Sequence, residues 1–131
     1  MTPEKTITIC GQSVKLIYCA ATETGYERLS GKETTIFTPT TETDEEGKEV
    51  TIPAAAQMGD FITLGIAAIV AAYSRDGKEP PISSEEILYD ATPEEVTELI
   101  TAVIELRMKW YHVSPVVKEE MKTEEGSSPN A

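Results

Sequence analysis

The most apolar stretch of the chain is AAAQMGDFITLGIAAIVAAYS, residues 54–74. Its apolar residues recur at the i, i+3, i+4 spacing that is typical of a helix with one buried face. Three more, Leu64, Ile66 and Val70, lie off that face and make the segment apolar nearly all round. The sequence therefore predicts a helix over 54–74 that is central to a core or partly buried against another subunit. The predicted face consists of Met58, Phe61, Ile62, Gly65, Ala68, Ile69, Ala72 and Tyr73.

Two further helices are predicted after this stretch, each from its own start signal. Residues 83–86, SSEE, have a capping-box pattern and begin a short helix that ends near Tyr89. Residues 92–95, TPEE, repeat the pattern with a proline in the first helical turn, and begin a longer helix that runs to about His112. The apolar stripe of this last helix is Val96, Leu99, Ile100, Val103, Leu106 and Trp110.

The N-terminal part of the chain predicts a β-hairpin. Apolar and polar residues alternate over 6–10 and again over 13–19, and the Gly-Gln pair between them fits a two-residue type II′ turn. Ala20–Gly31 follows as a short helix, with Thr22 as its cap and the final glycine closing it in the left-handed conformation. The predicted fold class is therefore α+β, with a hairpin or small antiparallel sheet followed by a mainly α-helical body.

The middle of the chain gives weaker signals. Thr34–Phe37 has the composition of a short strand. Residues 38–48 are rich in Thr, Glu and Asp and contain no apolar anchor, which is typical of an acidic loop or hairpin tip. Val50–Ile52 either returns to pair with Thr35–Phe37 or stays apart from it, and the pattern leaves this open.

The charge balance restricts the classes of partner. The 131-residue chain has 23 acidic and 11 basic residues, a formal net charge of -12 at pH 7. Nucleic-acid backbones and anionic membranes require a basic surface, so neither is an expected partner. An excess of carboxylates instead steers a protein toward basic partner surfaces, although acidic surfaces are also common in bacterial cytosolic proteins.

Length and cysteine usage predict one cytoplasmic domain. The chain suits a single domain, predicted over 1–121, with a disordered tail over 122–131. Cys10 and Cys19 lie about 20 Å apart on the predicted hairpin, which is too far for a disulfide and fits a reducing cytosol. The first residues lack a signal-peptide pattern, and the longest apolar run, 61–73, is shorter than the roughly 20 residues that span a bilayer.

No sequence motif predicts catalysis, a metal or a cofactor. His112 is the single histidine and lies where the last helix is expected to end, where a histidine favours the helix dipole. The sequence has no glycine-rich phosphate loop, HExxH pattern or Cys/His metal spacing. Residues 44–49 contain four carboxylates, but Glu49 stands where an EF-hand loop requires glycine. We therefore expect a non-enzymatic protein.

Aromatic and apolar residues of the two long helices are the candidate partner-binding residues. Trp and Tyr are enriched among binding hot spots, and a helix that is apolar all round carries more apolar surface than a small core buries. The alternative for Trp110 is that it anchors the core. The candidates are Phe61, Leu64, Ile66, Val70 and Tyr73 on the first long helix, and Met108, Trp110 and Tyr111 on the last.

Three stretches resemble a known family. The first is the hairpin ITICGQSVKLIYC together with ATETGYERLSGKE after it. The second is the Ala/Ile-rich MGDFITLGIAAIVAAYSRDG, and the third is PPISSEEILYDATPEEVTELITAVIELRMKWY. In this order they resemble the tail assembly chaperones of long-tailed bacteriophages and prophages, over about residues 6–112. The acidic insert 38–48 and the chain after Pro115 are not part of the resemblance.

The resemblance implies a cytoplasmic helper without catalytic residues. Such a protein oligomerises, coats the hydrophobic tape measure protein and recruits tail tube subunits, so we expect a homo-oligomer with protein partners. The net charge supports an alternative, an acidic regulatory or inhibitory binding protein that mimics nucleic acid. That alternative requires the acidic side chains to form a contiguous stripe.

Overall fold

The computed structural model describes residues 2–112, with His112 described by its backbone alone. An N-terminal antiparallel β-hairpin is followed by a mainly helical body, so the predicted α+β class is confirmed. The predicted boundary at residue 121, the tail over 122–131 and the side chain of His112 lie outside the described residues.

The elements follow one another in a simple order. The first hairpin is formed by strands β1 and β2 and leads into helix α1, a short 3-10 helix, a second hairpin of β3 and β4, and three α-helices. Their bounds are β1 Glu4–Ile9, β2 Gln12–Ile17, α1 Ala20–Ser30, the 3-10 helix Thr34–Phe37, β3 Thr40–Thr43, β4 Glu49–Ile52, α2 Met58–Arg75, α3 Ser84–Asp90 and α4 Pro93–His112.

The turn between β1 and β2 differs from the predicted one by one residue. Ile9 lies opposite Gln12, and the two turn residues are Cys10 and Gly11, with φ of 52° and 75°. Positive φ at both positions is the geometry of a type I′ turn, so the predicted type II′ turn is wrong. The left-handed conformation is unfavourable for cysteine, and the Glu95 carboxylate holds it by accepting a hydrogen bond from the Cys10 N–H at 3.1 Å.

The core lies between the first hairpin, α2 and α4. Ile7, Ile9, Val14 and Leu16 present one buried face of the hairpin to it, and α2 supplies nine buried residues. Helices α2 and α4 approach so closely at Gly65 that a Cβ atom there would lie 2.7 Å from the Leu99 Cγ. A side chain as small as hydrogen is therefore required at this crossing.

The capping boxes predicted for two helices are confirmed, and the cap predicted for a third is wrong. In α3 the Glu86 N–H donates to Ser83 Oγ at 3.1 Å, and Thr92 and Glu95 form the same reciprocal pair at the start of α4. Thr22 is not the cap of α1. It is the third helical residue and accepts the backbone N–H of Cys19, which is the N-cap. Gly31 closes α1 with φ 75°, as predicted.

The middle segment corrects one prediction and decides the strand pairing that the sequence left open. Thr34–Phe37 is a 3-10 helix rather than a strand, because Phe37 turns inward and packs with its ring centre 5.0 Å from that of Tyr26. β4 pairs with β3, so Val50–Ile52 does not pair with 35–37. Every residue of these two strands is exposed. We call residues 40–52 the acidic arm.

Helix α2 begins at Met58, four residues after the predicted start. The N-cap residue Gln57 has an extended backbone, and the Ala56 N–H donates to the Ile36 carbonyl at 3.0 Å. By length and composition alone, with 18 residues and a mean hydropathy of 1.2, α2 also meets the criterion for a membrane-crossing helix. Core helices of soluble proteins meet the same weak criterion, and 44% of this helix is buried within the fold.

Candidate functional site

An apolar groove of about 630 Å³ lies between α2, α3 and the segment that connects them. Its floor is formed by Ile66, Ile69, Ile82 and Ile87, whose exposed fractions are 8% or less and which belong to the main core. The floor is therefore the outer side of the close-packed core.

Three large apolar side chains stand at the rim of the groove and are open to solvent. Leu29 at the end of α1 is 60% exposed, Val70 on α2 is 44% exposed, and Leu88 on α3 is 57% exposed. Single exposed apolar residues are ordinary, but a set gathered around one concave apolar surface marks an interaction site.

Local sequence explains why the groove forms. Thr63, Ile66 and Val70 follow i, i+3, i+7 spacing and present one stripe of α2 to it. The two prolines at 80–81 and the capping box that begins at Ser83 turn the chain back, so that α3 lies beside this stripe. Because α3 has only seven residues and buries only Ile87, its next apolar residue is left outside the core.

The charged residues at the groove are acidic. Glu79 and Glu86 line it, and among the described lining residues there is no lysine or arginine. One oxygen of the Glu86 carboxylate accepts the Ser83 N–H at 2.8 Å as part of the capping box. This fixes a negative charge beside the apolar floor.

A second cluster surrounds the end of α4. The Trp110 ring packs against that of Tyr18 with centres 5.5 Å apart, so the core-anchor alternative describes part of its role. The hydroxyls of Tyr18 and Tyr111 both donate to Glu23 Oε2, at 2.8 and 2.7 Å. Met108 is 56% exposed beside them.

The two phenol groups of this second cluster are held in their neutral form. Burial, and then the hydrogen bond to the Glu23 carboxylate, raise the pKa of Tyr18 and of Tyr111 above the usual phenol range. Both phenols therefore stay protonated. The Arg107 guanidinium lies 4.5 Å from the centre of the Tyr111 ring and donates to the Thr34 carbonyl at 3.3 Å, so it ties α4 to the 3-10 helix.

The eight predicted partner-binding residues fall into three groups. Ile66 and Val70 line the groove. Met108, Trp110 and Tyr111 form the cluster at the end of α4. The remaining three are engaged in packing within the chain, Leu64 at 0% exposure, Phe61 against Phe37, and Tyr73 with its hydroxyl accepting the Lys15 N–H at 3.1 Å.

Sequence reasoning missed Leu29, Leu88 and the segment 79–82. A usable signal was present for Leu88, because a seven-residue helix with the consecutive apolar residues Ile87, Leu88 and Tyr89 cannot bury all three on one face. Leu29 lies three residues after the buried Tyr26 on the same helix, but it is 60% exposed and lies at the rim of the groove.

Asp60 carries the one buried carboxylate among the described residues. It accepts the Gln57 N–H at 2.9 Å, the Lys32 ammonium at 2.9 Å and the Tyr26 hydroxyl at 3.1 Å. These partners, the Gln57 N–H first, hold the pKa of Asp60 below its usual range. A carboxylate with hydrogen-bond partners on both oxygens stabilises the start of α2.

Within the part of the chain that the structure describes, no group of three or more His, Cys, Asp or Glu side chains is arranged to hold a metal ion. No protein-family model matches the chain, and no curated protein or solved structure is significantly similar to it. Function is therefore inferred from the groove, the surface charge and the resemblance of the three sequence stretches.

Proposed function

We propose that the protein is a non-enzymatic assembly factor of the tail assembly chaperone type, and that its groove receives an apolar helical segment of a partner protein. The observation that carries this proposal is the exposure of Leu29, Val70 and Leu88 around a floor of core isoleucines. Keeping such side chains in water is unfavourable by about 25 cal/mol per Å² of apolar surface, and a docked partner removes that cost.

The shape and the apolar walls of this groove suit a helix as the bound segment. Two helices and a connecting segment enclose a surface with apolar rims, which is the arrangement by which grooves bind the apolar face of an amphipathic helix. A chaperone that keeps a long hydrophobic helical protein soluble needs such a site. The acidic surface keeps the complex soluble.

The full proposal includes the partners and the place of action. The groove binds the tape measure protein, other surfaces recruit tail tube subunits, and the protein works in the cytoplasm of a bacterial host. Copies self-associate through the end of α4, where Met108 and Tyr111 are exposed. Neither catalysis nor a cofactor is part of this role.

Co-expression with the longest helical protein encoded beside the gene tests the proposal. The wild-type chain should keep that protein soluble and co-purify with it. Leu88→Glu places a charge on the groove rim and should abolish co-purification. Tyr89→Glu is the matched control, because Tyr89 is the neighbouring residue, is 83% exposed and does not line the groove.

Both substitutions lie at exposed positions and should change the free energy of unfolding by less than about 0.5 kcal/mol, which circular dichroism checks. Equal co-purification of the Leu88→Glu and Tyr89→Glu proteins would overturn the groove as the binding site. A gene surrounded by metabolic enzymes, with no long helical protein beside it, would count against the phage assembly role.

One observation favours the alternative of an acidic regulatory binder. The acidic arm contains five carboxylates and one lysine, and its eight strand residues are all exposed. In this alternative the acidic arm mimics nucleic acid and is the surface that binds a basic partner protein. Replacing residues 41–51 with a short Gly-Ser linker should abolish partner binding in that case, and leave it intact if the groove is the site.

A further inference from the structure

We infer that the groove selects helices whose apolar face is bordered by lysine or arginine side chains. This inference rests on the proposed helix-binding function and adds the charge of the partner. It depends on three features of the groove. These are its length, the sign of the charges at its rim, and the exposure of its rim side chains to solvent.

The length of the groove sets how much of a partner helix it contacts. The α2 stripe from Thr63 to Val70 spans eight residues, which is roughly 10 Å or two helical turns. A partner helix that lies along it presents apolar side chains at i, i+3 or i+4, and i+7, so about three anchors fill the groove.

The rim sets the charge of the residues that flank those anchors. Glu79 and Glu86 are both exposed, and neither faces a lysine or arginine among the described residues that line the groove. The ordinary flanks of an amphipathic helix are charged residues, and acidic flanks would meet these carboxylates with repulsion. Basic flanks would form ion pairs with them.

Two other occupants fit less well. A second copy of this chain carries the same net charge of -12, and its exposed apolar pair Leu88 and Tyr89 is flanked by Glu85, Glu86 and Asp90. A small apolar ligand requires a site that buries most of its surface, whereas the rim side chains of this groove are themselves about half exposed. A basic amphipathic helix satisfies both the shape and the charge.

Three short synthetic helical peptides test the inference. They share the same leucine positions and differ only in flanking residues, which are all Lys, all Gln or all Glu. Binding of each labelled peptide to the full chain is measured by fluorescence anisotropy. The Lys peptide forms two exposed ion pairs with the rim carboxylates, whereas the Glu peptide meets two repulsions. The Lys peptide should therefore bind about tenfold more tightly than the Glu peptide.

Matched variants separate the rim from the field of the whole molecule. Glu79→Lys/Glu86→Gln reverses the rim and keeps a capping-box residue at position 86, whereas Glu45→Lys/Glu46→Gln makes the same change of net charge at the tip of the acidic arm. The rim variant should lose the preference for the Lys peptide, and the arm variant should retain it.

Equal loss of preference in both variants would overturn the inference, because the overall charge would then account for the selectivity. Equal binding of all three peptides, abolished by Leu88→Glu, would overturn the inference and leave the helix-binding groove in place. Binding of none of the peptides, or binding that Leu88→Glu leaves unchanged, would overturn both the inference and the groove.

Discussion

Two glycine-to-alanine substitutions should change the stability of the protein in opposite directions. Gly25 lies within α1, where an added Cβ would sit 3.6 Å from the Ala67 Cβ, an ordinary van der Waals contact. Gly65 lies within α2, where the added Cβ would sit 2.7 Å from the Leu99 Cγ and 2.9 Å from its Cδ1. The chemical change is the same at both positions, so the difference isolates the crossing of α2 and α4.

Helix propensity favours alanine over glycine by about 1 kcal/mol at both positions. Gly25→Ala should therefore raise the free energy of unfolding by about 1 kcal/mol, since nothing opposes it. At Gly65 the whole Leu99 side chain must move within a close-packed core, and overpacking of this kind costs about 2 kcal/mol. The expected net effect of Gly65→Ala is a loss of about 1 kcal/mol.

Urea unfolding followed by circular dichroism measures both changes. Leu99→Ala alone should cost about 3 kcal/mol, because Leu99 is fully buried. In the Gly65→Ala background the same substitution relieves the clash, so the double variant should be about 2 kcal/mol more stable than the sum of the single effects. A Gly65→Ala protein as stabilised as the Gly25→Ala protein would refute the requirement for glycine at this crossing.

Three further outcomes are expected. The ionised Asp60 carboxylate, whose folded pKa is lowered, contributes stability above about pH 4 that is lost as the pH falls through that lowered pKa. Asp60→Asn should therefore cost about 2 kcal/mol at neutral pH and progressively less in acid, and a cost independent of pH in urea unfolding would contradict this. Met108→Glu should shift the proposed oligomer toward monomer in analytical ultracentrifugation, and a wild-type chain that is monomeric at high concentration would contradict self-association. Replacing residues 41–51 with a Gly-Ser linker should change the melting temperature by less than about 3 °C, because the acidic arm packs little against the body.

Local signals were sufficient for much of the fold. The capping boxes at Ser83 and Thr92 and the closing glycine at position 31 each involve residues within one helical turn, so the sequence alone identifies them. The apolar spacing of 54–74 likewise predicts the central helix. The predicted start is four residues early, because the alanines at 54–56 have good helix propensity, whereas the Ala56 N–H donates to the Ile36 carbonyl of the 3-10 helix.

The register of the first hairpin depends on contacts distant in sequence. Pairing Ile9 with Val14, as predicted, or with Gln12, as observed, places the same apolar residues on one face. Sequence alternation therefore cannot distinguish the two registers. The hydrogen bond from the Cys10 N–H to Glu95 stabilises the observed register, and no local sequence pattern predicts this hydrogen bond.

The groove could not be predicted from the sequence, because it also depends on contacts between residues that are distant in the chain. Ile66 and Val70 were recognised as excess apolar residues of one helix, but the surface that they form needs α3 and the end of α1 beside them. Periodicity describes one helix at a time and says nothing of which neighbour covers which face. Leu29 and Leu88 acquire their role only from that arrangement.

The hydrogen bond between the Cys10 N–H and the Glu95 carboxylate also affects when the hairpin can form during translation. The two residues are 85 positions apart, so at about 5–20 residues per second the ribosome needs roughly 4–17 s between them. During that interval the nascent hairpin lacks both α4 and the carboxylate that holds its turn, and an isolated hairpin is marginal in water. We therefore expect the first strands to reach their final register only after α4 has been synthesised.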